Sequence, residues 1–300
     1  MIRVRRRLVL LAALAIACAS CGGQESSTGA AADPLAEARA ALADKRYDDV
    51  LARVGEAADP DSAYLAGRAW AGKAASAPVP TPLPGAATTG SRLKPEEERA
   101  LALYERAVAA RPDFVDAQVA LAELLSPYAL AAAAAVPRPR PGQPLLSTDP
   151  RVERVLRAYG DAVQADLTGT VAAEGLIAFA TRAGRTSEAD AAYQELVRRR
   201  REDGALLVRY GDFLAGPAGK PVAALAQYAQ ALIWKPADTA TRLKMAEIYL
   251  AQAAEHLNAR EYVAAEARLK DAKRYTVDPA SPQAARLAEL EARVRDVRGR

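Results

Sequence analysis

Few residues of this chain are of the types that carry out covalent catalysis or bind metal ions. There is one histidine, His256, and no cysteine follows Cys21, which excludes a Cys/His dyad and a His-rich metal site. No glycine-rich phosphate-binding motif of the GxGxxG or P-loop type occurs. We therefore expect no catalytic site, no metal and no cofactor, and we interpret His256 as a surface or packing residue of a long helix.

Acidic residues are numerous, at 37 Asp and Glu, but their spacing is typical of solvated helix faces. Glu289 precedes Arg293 by four residues, which brings opposite charges together on one side of a helix. We interpret Glu188 and Asp190 in the same way. The pattern therefore gives no sign of a carboxylate pair for acid–base catalysis.

Two further groups could bind a ligand but have a simpler structural interpretation. Arg198–Arg201 is the densest basic cluster, and cations at a helix C-terminus complement the helix dipole. A phosphate or anionic-lipid site is the alternative. Trp70 and Trp234 fall at repeat-packing positions, so we expect them in the core and not stacked on a ligand.

The elements that would position these residues are helices. The chain is 51% hydrophobic but only 5% aromatic, and alanine dominates, which favours helices that pack closely together. No stretch alternates polar and apolar residues in the manner of a β-strand. Two proline-rich stretches, residues 77–95 and 136–150, cannot continue as regular helix. We predict an all-α fold that these two stretches interrupt.

The N-terminus has the design of an export signal, with four arginines before the apolar run Leu8–Ala17. As a helix that run would span about 15 Å, roughly half of a bilayer core. The segment Leu14–Cys18 resembles a bacterial lipobox, which implies a lipoprotein signal peptide over residues 1–17 and a lipid anchor on Cys18. Cys21 is the alternative acceptor. Free thiols or a disulfide at an ordinary signal end are the other interpretation.

Residues 18–33 are small and polar and would tether the folded part to the membrane. Neither cysteine is followed closely by the aspartate that commonly signals inner-membrane retention, which favours the outer membrane, facing the periplasm. Without the four signal arginines, 41 basic residues become 37, which equals the acidic count. The mature chain therefore has no net formal charge, and we expect no nucleic-acid partner.

Internal repeats indicate how the helices are arranged. Residues 100–112 and 224–236 share the same residues at four positions, Ala, Tyr, Ala and Pro, at offsets of four, three and five. The matching residues are Ala100, Tyr104, Ala107 and Pro112 in one copy and Ala224, Tyr228, Ala231 and Pro236 in the other. Weaker copies contain Tyr159 and the pair Ala189 and Tyr193, so that tyrosines recur at 34- and 35-residue intervals.

This pattern resembles the second helix of a tetratricopeptide repeat (TPR), whose period is 34 residues. The large–small pair of a first helix also recurs, in Leu121-Ala122, Tyr210-Gly211 and Met245-Ala246. The interval from Tyr104 to Tyr159 is one repeat plus 21 residues, which the second proline-rich stretch supplies. The resemblance implies a right-handed superhelical solenoid of antiparallel helix pairs.

The predicted organisation has TPR-like hairpins over residues 34–76, a proline-rich linker over 77–95 and the main solenoid over 96–300. Residues 136–150 form an insert in that solenoid, and the second helix after Tyr249 comes seven residues late, close to two helical turns. The charged amphipathic segment 282–298 is suited to capping the exposed end of the array.

In the TPR family the first helices line the concave face, so the resemblance also implies a partner-binding groove. Carried over to repeats that begin at Thr170, Gly204 and Thr239, its positions mix both charges with apolar residues, as protein partners require. The nominated residues are Glu174, Ala178, Arg182, Val208, Arg209, Asp212, Leu243, Lys244 and Glu247.

The leading hypothesis is a non-enzymatic, membrane-anchored scaffold that binds protein or peptide partners in the bacterial cell envelope. Similar anchored solenoids include pilotins of pilus secretins, barrel-assembly lipoproteins and regulators of peptidoglycan enzymes, so assembly of an envelope, secretion or pilus complex is one such role. The alternatives are capture of glycan or lipid in the groove, and an accessory domain of an envelope enzyme.

The lipobox yields a direct test. We expect Cys18→Ser to abolish metabolic labelling with a fatty-acid analogue and to release the protein into the soluble periplasm, because the anchor is covalent. Labelling that persists in Cys18→Ser but disappears in Cys21→Ser would show that Cys21 is the acceptor.

Overall fold

The computed structural model describes residues 35–77, 92–135, 149–166, 168–276 and 278–298. The predicted signal peptide and tether, and most of both proline-rich stretches, lie outside these ranges. Within them the secondary structure is entirely helical, with thirteen α-helices and no strand. The helices are α1 Ala36–Ala43, α2 Tyr47–Val54, α3 Pro60–Ser76, α4 Pro95–Ala110, α5 Val115–Ala135, α6 Pro150–Ala165, α7 Val171–Arg182, α8 Thr186–Arg199, α9 Gly204–Ala215, α10 Pro221–Trp234, α11 Thr239–Asn258, α12 Tyr262–Tyr275 and α13 Pro282–Arg298.

Consecutive helices pack as hairpins, and each hairpin stacks on the next. Six pairs, from α1 with α2 to α11 with α12, form the hairpins, while α2, α4, α6, α8 and α10 contact the first helix of the following pair. The last helix, α13, packs on both α11 and α12 and covers the end of the array. The predicted all-α solenoid of helix pairs is confirmed.

Helix starts follow from local sequence. A proline occupies the first turn of five helices, where its missing N–H costs no hydrogen bond and its φ suits a helix. These prolines are Pro60, Pro95, Pro150, Pro221 and Pro282. Aspartate side chains cap other exposed N–H groups: Asp203 accepts from the Leu206 N–H at 3.0 Å and Asp238 from the Ala240 N–H at 3.1 Å.

The helices on either side of each proline-rich stretch pack together as a hairpin. Residues 77–95 connect α3 to α4, and residues 136–150 connect α5 to α6, and both helix pairs are among the most extensively packed of the fold. Residues 77–95, predicted to link the N-terminal hairpins to the main solenoid, therefore connect two helices that pack on each other as one hairpin. Helix packing is continuous from α3 to α4.

Tyrosines of second helices fill the spaces opposite small residues of first helices. A Cβ added at Gly67 would lie 2.6 Å from Cε1 of Tyr104, and one added at Gly211 would lie 2.4 Å from Cε1 of Tyr228. The same approach joins neighbouring hairpins, where a Cβ at Gly175 would lie 2.5 Å from Tyr159. Only glycine allows these backbones to lie so close to the rings.

The residues nominated for repeat packing fall into two groups. Ten of them are buried on helices, whereas the two prolines are exposed in the turns after α4 and α10. The buried residues are Ala100, Tyr104, Ala107, Tyr159, Ala189, Tyr193, Gly211, Ala224, Tyr228 and Ala231, and the exposed ones are Pro112 and Pro236.

One tryptophan departs from the expectation. Trp70 is half-buried, with the Arg99 guanidinium 4.6 Å from its ring centroid. Trp234 is 47% exposed, so its predicted place in the core is wrong. It is the last residue of α10, and its side chain lies outside the core, whereas Ala231 of the same turn is buried and Leu232 packs against the core.

The late second helix is accommodated by the helix before it. Helix α11 has 20 residues, compared with 12 in the first helix α9, whereas the second helices α10 and α12 both have 14 residues. The added turns of α11 place Leu250, Ala253 and Leu257 against α12 and α13. The extra length therefore extends the buried surface at the capped end.

The buried side chains form three clusters along the array. One joins α1, α2 and α3 to Ala107 and Ala117, a second runs from α4 to α11, and a third joins α11, α12 and α13. Helix α11 contributes Met245 to the second cluster and Leu250 to the third. Neighbouring clusters are thus linked through shared helices.

Helix α5 is the one described helix whose length and composition would suit a membrane span. Its residues Leu121, Ala122 and Leu125 are buried in the second cluster, where α5 packs along α6. Core helices can have the same length and composition, and the burial of these residues places one side of α5 in the core of the array.

Two glycine substitutions test the close approach of ring and backbone. Gly211→Ala should lower the free energy of unfolding by about 1–3 kcal/mol, because Tyr228 must be displaced to admit the methyl group. Gly160→Ala, in α6, meets no atom within 4 Å and should raise stability by about 0.5–1 kcal/mol through helix propensity. Urea unfolding of both variants measures the difference, and equal effects would contradict the packing.

Candidate functional site

The nine residues nominated for the groove lie on three successive first helices. Helix α7 carries Glu174, Ala178 and Arg182, α9 carries Val208, Arg209 and Asp212, and α11 carries Leu243, Lys244 and Glu247. Val208 and Leu243 are half-buried, whereas Ala178, Arg182, Arg209, Asp212 and Glu247 are exposed.

Four of the nine surround one concavity of about 390 Å³ between α7, α8 and α9. Its apolar side chains come from both helices of the α7–α8 hairpin and from α9, and charged side chains complete the lining. The four nominated residues are Glu174, Ala178, Arg182 and Arg209, and the others are Ile177, Thr181, Tyr193, Leu196 and Leu206. Sequence reasoning missed Tyr193 here because it assigned that ring to packing alone.

Ion pairs join each first helix of this surface to the next. Arg209 Nη2 of α9 lies 3.1 Å from Glu174 Oε1 of α7, and Lys244 Nζ of α11 lies 2.6 Å from Asp212 Oδ1 of α9. These side chains are roughly half exposed, so each pair contributes at most about 1 kcal/mol to stability. Their main effect is to hold the two charges of each pair at defined positions along the concave face.

Asp212 connects the surface to the packing tyrosines. Its Oδ1 also accepts a hydrogen bond of 2.8 Å from the Tyr228 hydroxyl, the ring that packs against Gly211. Burial and this hydrogen bond both raise the pKa of Tyr228, so the hydroxyl stays protonated and donates. The contact that sets the spacing of the α9–α10 hairpin therefore also positions a carboxylate of the groove.

A second concavity, of about 260 Å³, lies further towards the N-terminus on the first helices α3, α5 and α7. Its charged side chains are Arg68, Asp116, Glu123 and Asp166. Sequence reasoning did not nominate it because the family positions were carried over only from residue 170 onwards. The large–small pair Leu121-Ala122 of α5 is the signal that would have extended the register to it.

Asp190 is not on a solvated face, and that interpretation is wrong. It is 9% exposed, and it accepts hydrogen bonds from the Tyr210 hydroxyl at 2.6 Å and from Lys220 Nζ at 2.7 Å. Burial raises the pKa of Asp190, but the hydrogen bonds from Lys220, Tyr210 and Gln194 outweigh it and hold the pKa below its usual value. Asp190 thereby fixes α9, which carries Arg209, against α8.

The arginine tetrad is compensated locally. Glu195 binds both Arg198 and Arg199, at 2.6 and 2.7 Å, and Asp203 binds Arg200 at 2.9 Å. The tetrad lies at the C-terminal end of α8, as the dipole interpretation expects.

His256 Nδ1 lies 2.6 Å from Glu261 Oε2, near the end of α11. Within the described ranges there is no group of three or more His, Cys, Asp or Glu side chains that could hold a metal ion.

Replacing Asp190 should reveal its structural role. We expect Asp190→Asn to lower the free energy of unfolding by about 1–3 kcal/mol at pH 7, because Tyr210 and Lys220 lose a buried charged partner. A lowered folded-state pKa gives stability that is present above about pH 4 and is lost as the pH falls further. The difference in unfolding free energy between the wild-type protein and Asp190→Asn should therefore become smaller as the pH is lowered from 7 to 3. Exposed Glu247→Gln is the control and should change little at either pH.

No family model matches the chain, and neither does any curated protein. Among solved structures, similarity is found to MamA (15% identity, 68% of this chain and 98% of that one, TM-score 0.42). A thermophilic TPR protein of Thermus thermophilus is also similar, with 18% identity over 72% of this chain and 97% of that one and a TM-score of 0.38. YrrB, described as a TPR protein with an unusual peptide-binding site, has 16% identity over 65% of this chain and 84% of that one and a TM-score of 0.37. These TM-scores are too low to add to the evidence of packing. By its own hairpins and their phased tyrosines, the chain is a TPR-like helical array.

Proposed function

We propose that the chain is a membrane-anchored, non-enzymatic scaffold of the bacterial cell envelope that binds a protein partner along the concave face of its first helices. The observation that carries the proposal is the 390 Å³ concavity between α7, α8 and α9, which combines apolar side chains with charges held by ion pairs.

The composition of this surface suits a polypeptide. Exposed Ala178 and the small accessible parts of Ile177 and Tyr193 offer apolar contact, and Glu174, Arg182 and Arg209 offer both signs of charge. Protein interfaces combine an apolar centre with a polar rim, and aromatic and arginine side chains are enriched in them. A nucleic-acid backbone would require a predominantly basic surface.

The rigidity of the array also supports binding. The groove residues stand on helices whose relative positions are fixed by Asp190, by the Tyr228–Asp212 hydrogen bond and by the two ion pairs across first helices. A surface held in place in this way loses little conformational entropy when a partner binds.

The envelope location rests on the N-terminal sequence. The lipobox-like Leu14–Cys18 segment and the polar tether of residues 18–33 support an anchor in the outer membrane, with the helical array in the periplasm. We place its role in the assembly of an envelope, secretion or pilus complex, where a tethered scaffold raises the local concentration of its partner at the membrane.

Site-specific photocrosslinking in intact cells tests the binding face. A photoreactive amino acid in place of Ala178, in the concavity, should crosslink to a defined envelope protein. The same replacement of Ala191, exposed on the second helix α8, should not. Crosslinking from Ala191 alone would assign binding to the opposite face.

Charge reversals then measure the contribution of the ion-paired residues. Arg209→Glu and Lys244→Glu should each weaken binding of the crosslinked partner by about tenfold, because each places a second acid beside Glu174 or Asp212. The double variant Arg199→Glu/Arg200→Glu, at the end of α8, should bind normally. All variants are compared at unchanged melting temperature. Loss of binding in the α8 variant with retention in both groove variants would contradict the proposal.

A further inference from the structure

The smaller concavity has walls from three first helices. Tyr64 and Arg68 come from α3, Asp116 and Glu123 from α5, and Val171 from the start of α7. At about 260 Å³ it lies below the usual range of about 300–1,000 Å³ for sites that bind drug-sized molecules. Its size is that of a subsite for a side chain.

The charges of this cavity are unbalanced. It contains three carboxylates, of Asp116, Glu123 and Asp166, and one cation, Arg68. Arg68 Nη1 donates a hydrogen bond of 3.0 Å to the Tyr64 hydroxyl, and its guanidinium lies 5.8 Å from the centroid of that ring. Within the described part of the chain, Arg68 forms no ion pair with either carboxylate of α5. Asp166, at the end of α6, accepts hydrogen bonds from Thr168 and Gly169 and is attracted by Arg199. The formal charge of the lining residues alone, three acids against one base, is −2.

The two α5 carboxylates differ in this respect from those of α7 and α9. Glu174, which lines the larger concavity, is paired with Arg209, and Asp212, further along α9, is paired with Lys244. Asp116 and Glu123 lie seven residues apart, so they project from the same side of α5 about 10 Å apart along its axis. No described side chain forms an ion pair with either of them, and Arg68 attracts Glu123 only from beyond ion-pair distance.

Apolar surface lies between these charges. Val119 and Ala120 separate Asp116 from Glu123 along α5, the ring of Tyr64 forms part of the wall, and Val171 at the rim is 68% exposed. Lysine and arginine have an apolar stem and a cationic end, and they cover apolar surface while the charge meets an acid. Their chemistry complements this cavity in both respects.

We propose that this cavity is a subsite for a lysine or arginine side chain of the protein partner, which rests on the proposed binding along the concave face. Helix α7 borders both concavities, with Val171 and Ala172 at the smaller one and Glu174 and Ile177 at the larger one. A partner segment that follows the first helices therefore places a basic residue against α5 and apolar residues against α8 and α9.

The probes are three pools of fluorescein-labelled nonapeptides with an amidated C-terminus. The central residue is Arg, Gln or Glu, and the flanking positions are random among Ala, Val, Leu and Ser. Fluorescence anisotropy with the full chain in detergent should show the Arg pool binding about tenfold more tightly than the Glu pool, with the Gln pool between them. The preference should decrease as salt is added, because the cavity is open to solvent.

Charge-neutralising variants identify the residues that cause the preference for the Arg pool. In Asp116→Asn/Glu123→Gln the Arg pool and the Glu pool should bind within about twofold of each other, since the attraction that separates them is removed. The matched control is Glu202→Gln/Glu289→Gln, which makes the same change of net charge at two exposed residues outside both concavities. It should keep the full preference. Arg68→Gln removes the one cation of the cavity and should increase the preference for the Arg pool.

Equal affinity for the three pools, absence of binding by all of them, or a preference for Arg that persists in Asp116→Asn/Glu123→Gln would each overturn the subsite. The proposed function fails by a different result, the absence of a partner crosslink from the concavity at Ala178. A crosslink from Ala178 without any preference among the pools would therefore support the proposed scaffold function and contradict only the proposed basic-residue subsite.

Discussion

Contact between a tyrosine ring and the backbone of a neighbouring helix sets the helix spacing at four places in this protein. Gly67, Gly72, Gly175 and Gly211 each lie where a methyl group would overlap a ring, those of Tyr104, Tyr47, Tyr159 and Tyr228 respectively. Two of these contacts close a hairpin and two join neighbouring hairpins. Because the rings are rigid, the distance they impose recurs along the array and brings the first helices side by side. That spacing positions the first helices whose side chains line the two concavities.

Periodicity was the part of the fold that the sequence could predict. The shared offsets of Ala, Tyr and Pro in residues 100–112 and 224–236 reflect contacts within one hairpin, and such contacts leave a repeated pattern. The burial of Asp190 and the exposure of Trp234 are not predicted by the repeat pattern. Asp190 is buried by Tyr210 and Lys220, 20 and 30 residues away. Trp234 is 47% exposed at the end of α10, although Ala231 in the same turn is buried. Neither outcome follows from spacing along one helix.

The candidate site was predictable to a similar degree. Register alone placed Glu174, Ala178, Arg182 and Arg209 around one concavity, since residues at fixed repeat positions face the same way. Register does not reveal which charges meet. Whether a charge is paired depends on which side chains the neighbouring helices bring near it. Arg209 meets Glu174 of another helix, whereas Asp116 has no described ion-pair partner. The electrostatic character of the concave face, compensated at α7–α11 and acidic at α3–α5, therefore required the structure.

The division of the buried side chains into three clusters has a consequence for how the protein loses its structure. Each cluster is held by local contacts, so the array is a chain of coupled units and lacks a single all-or-none core. The terminal units have neighbours on one side only, and the α1–α2 hairpin, with two helices of eight residues, has the least to bury. Opening then begins at that end and spreads, and amide hydrogens of α1 and α2 exchange with solvent before those of α9 and α10.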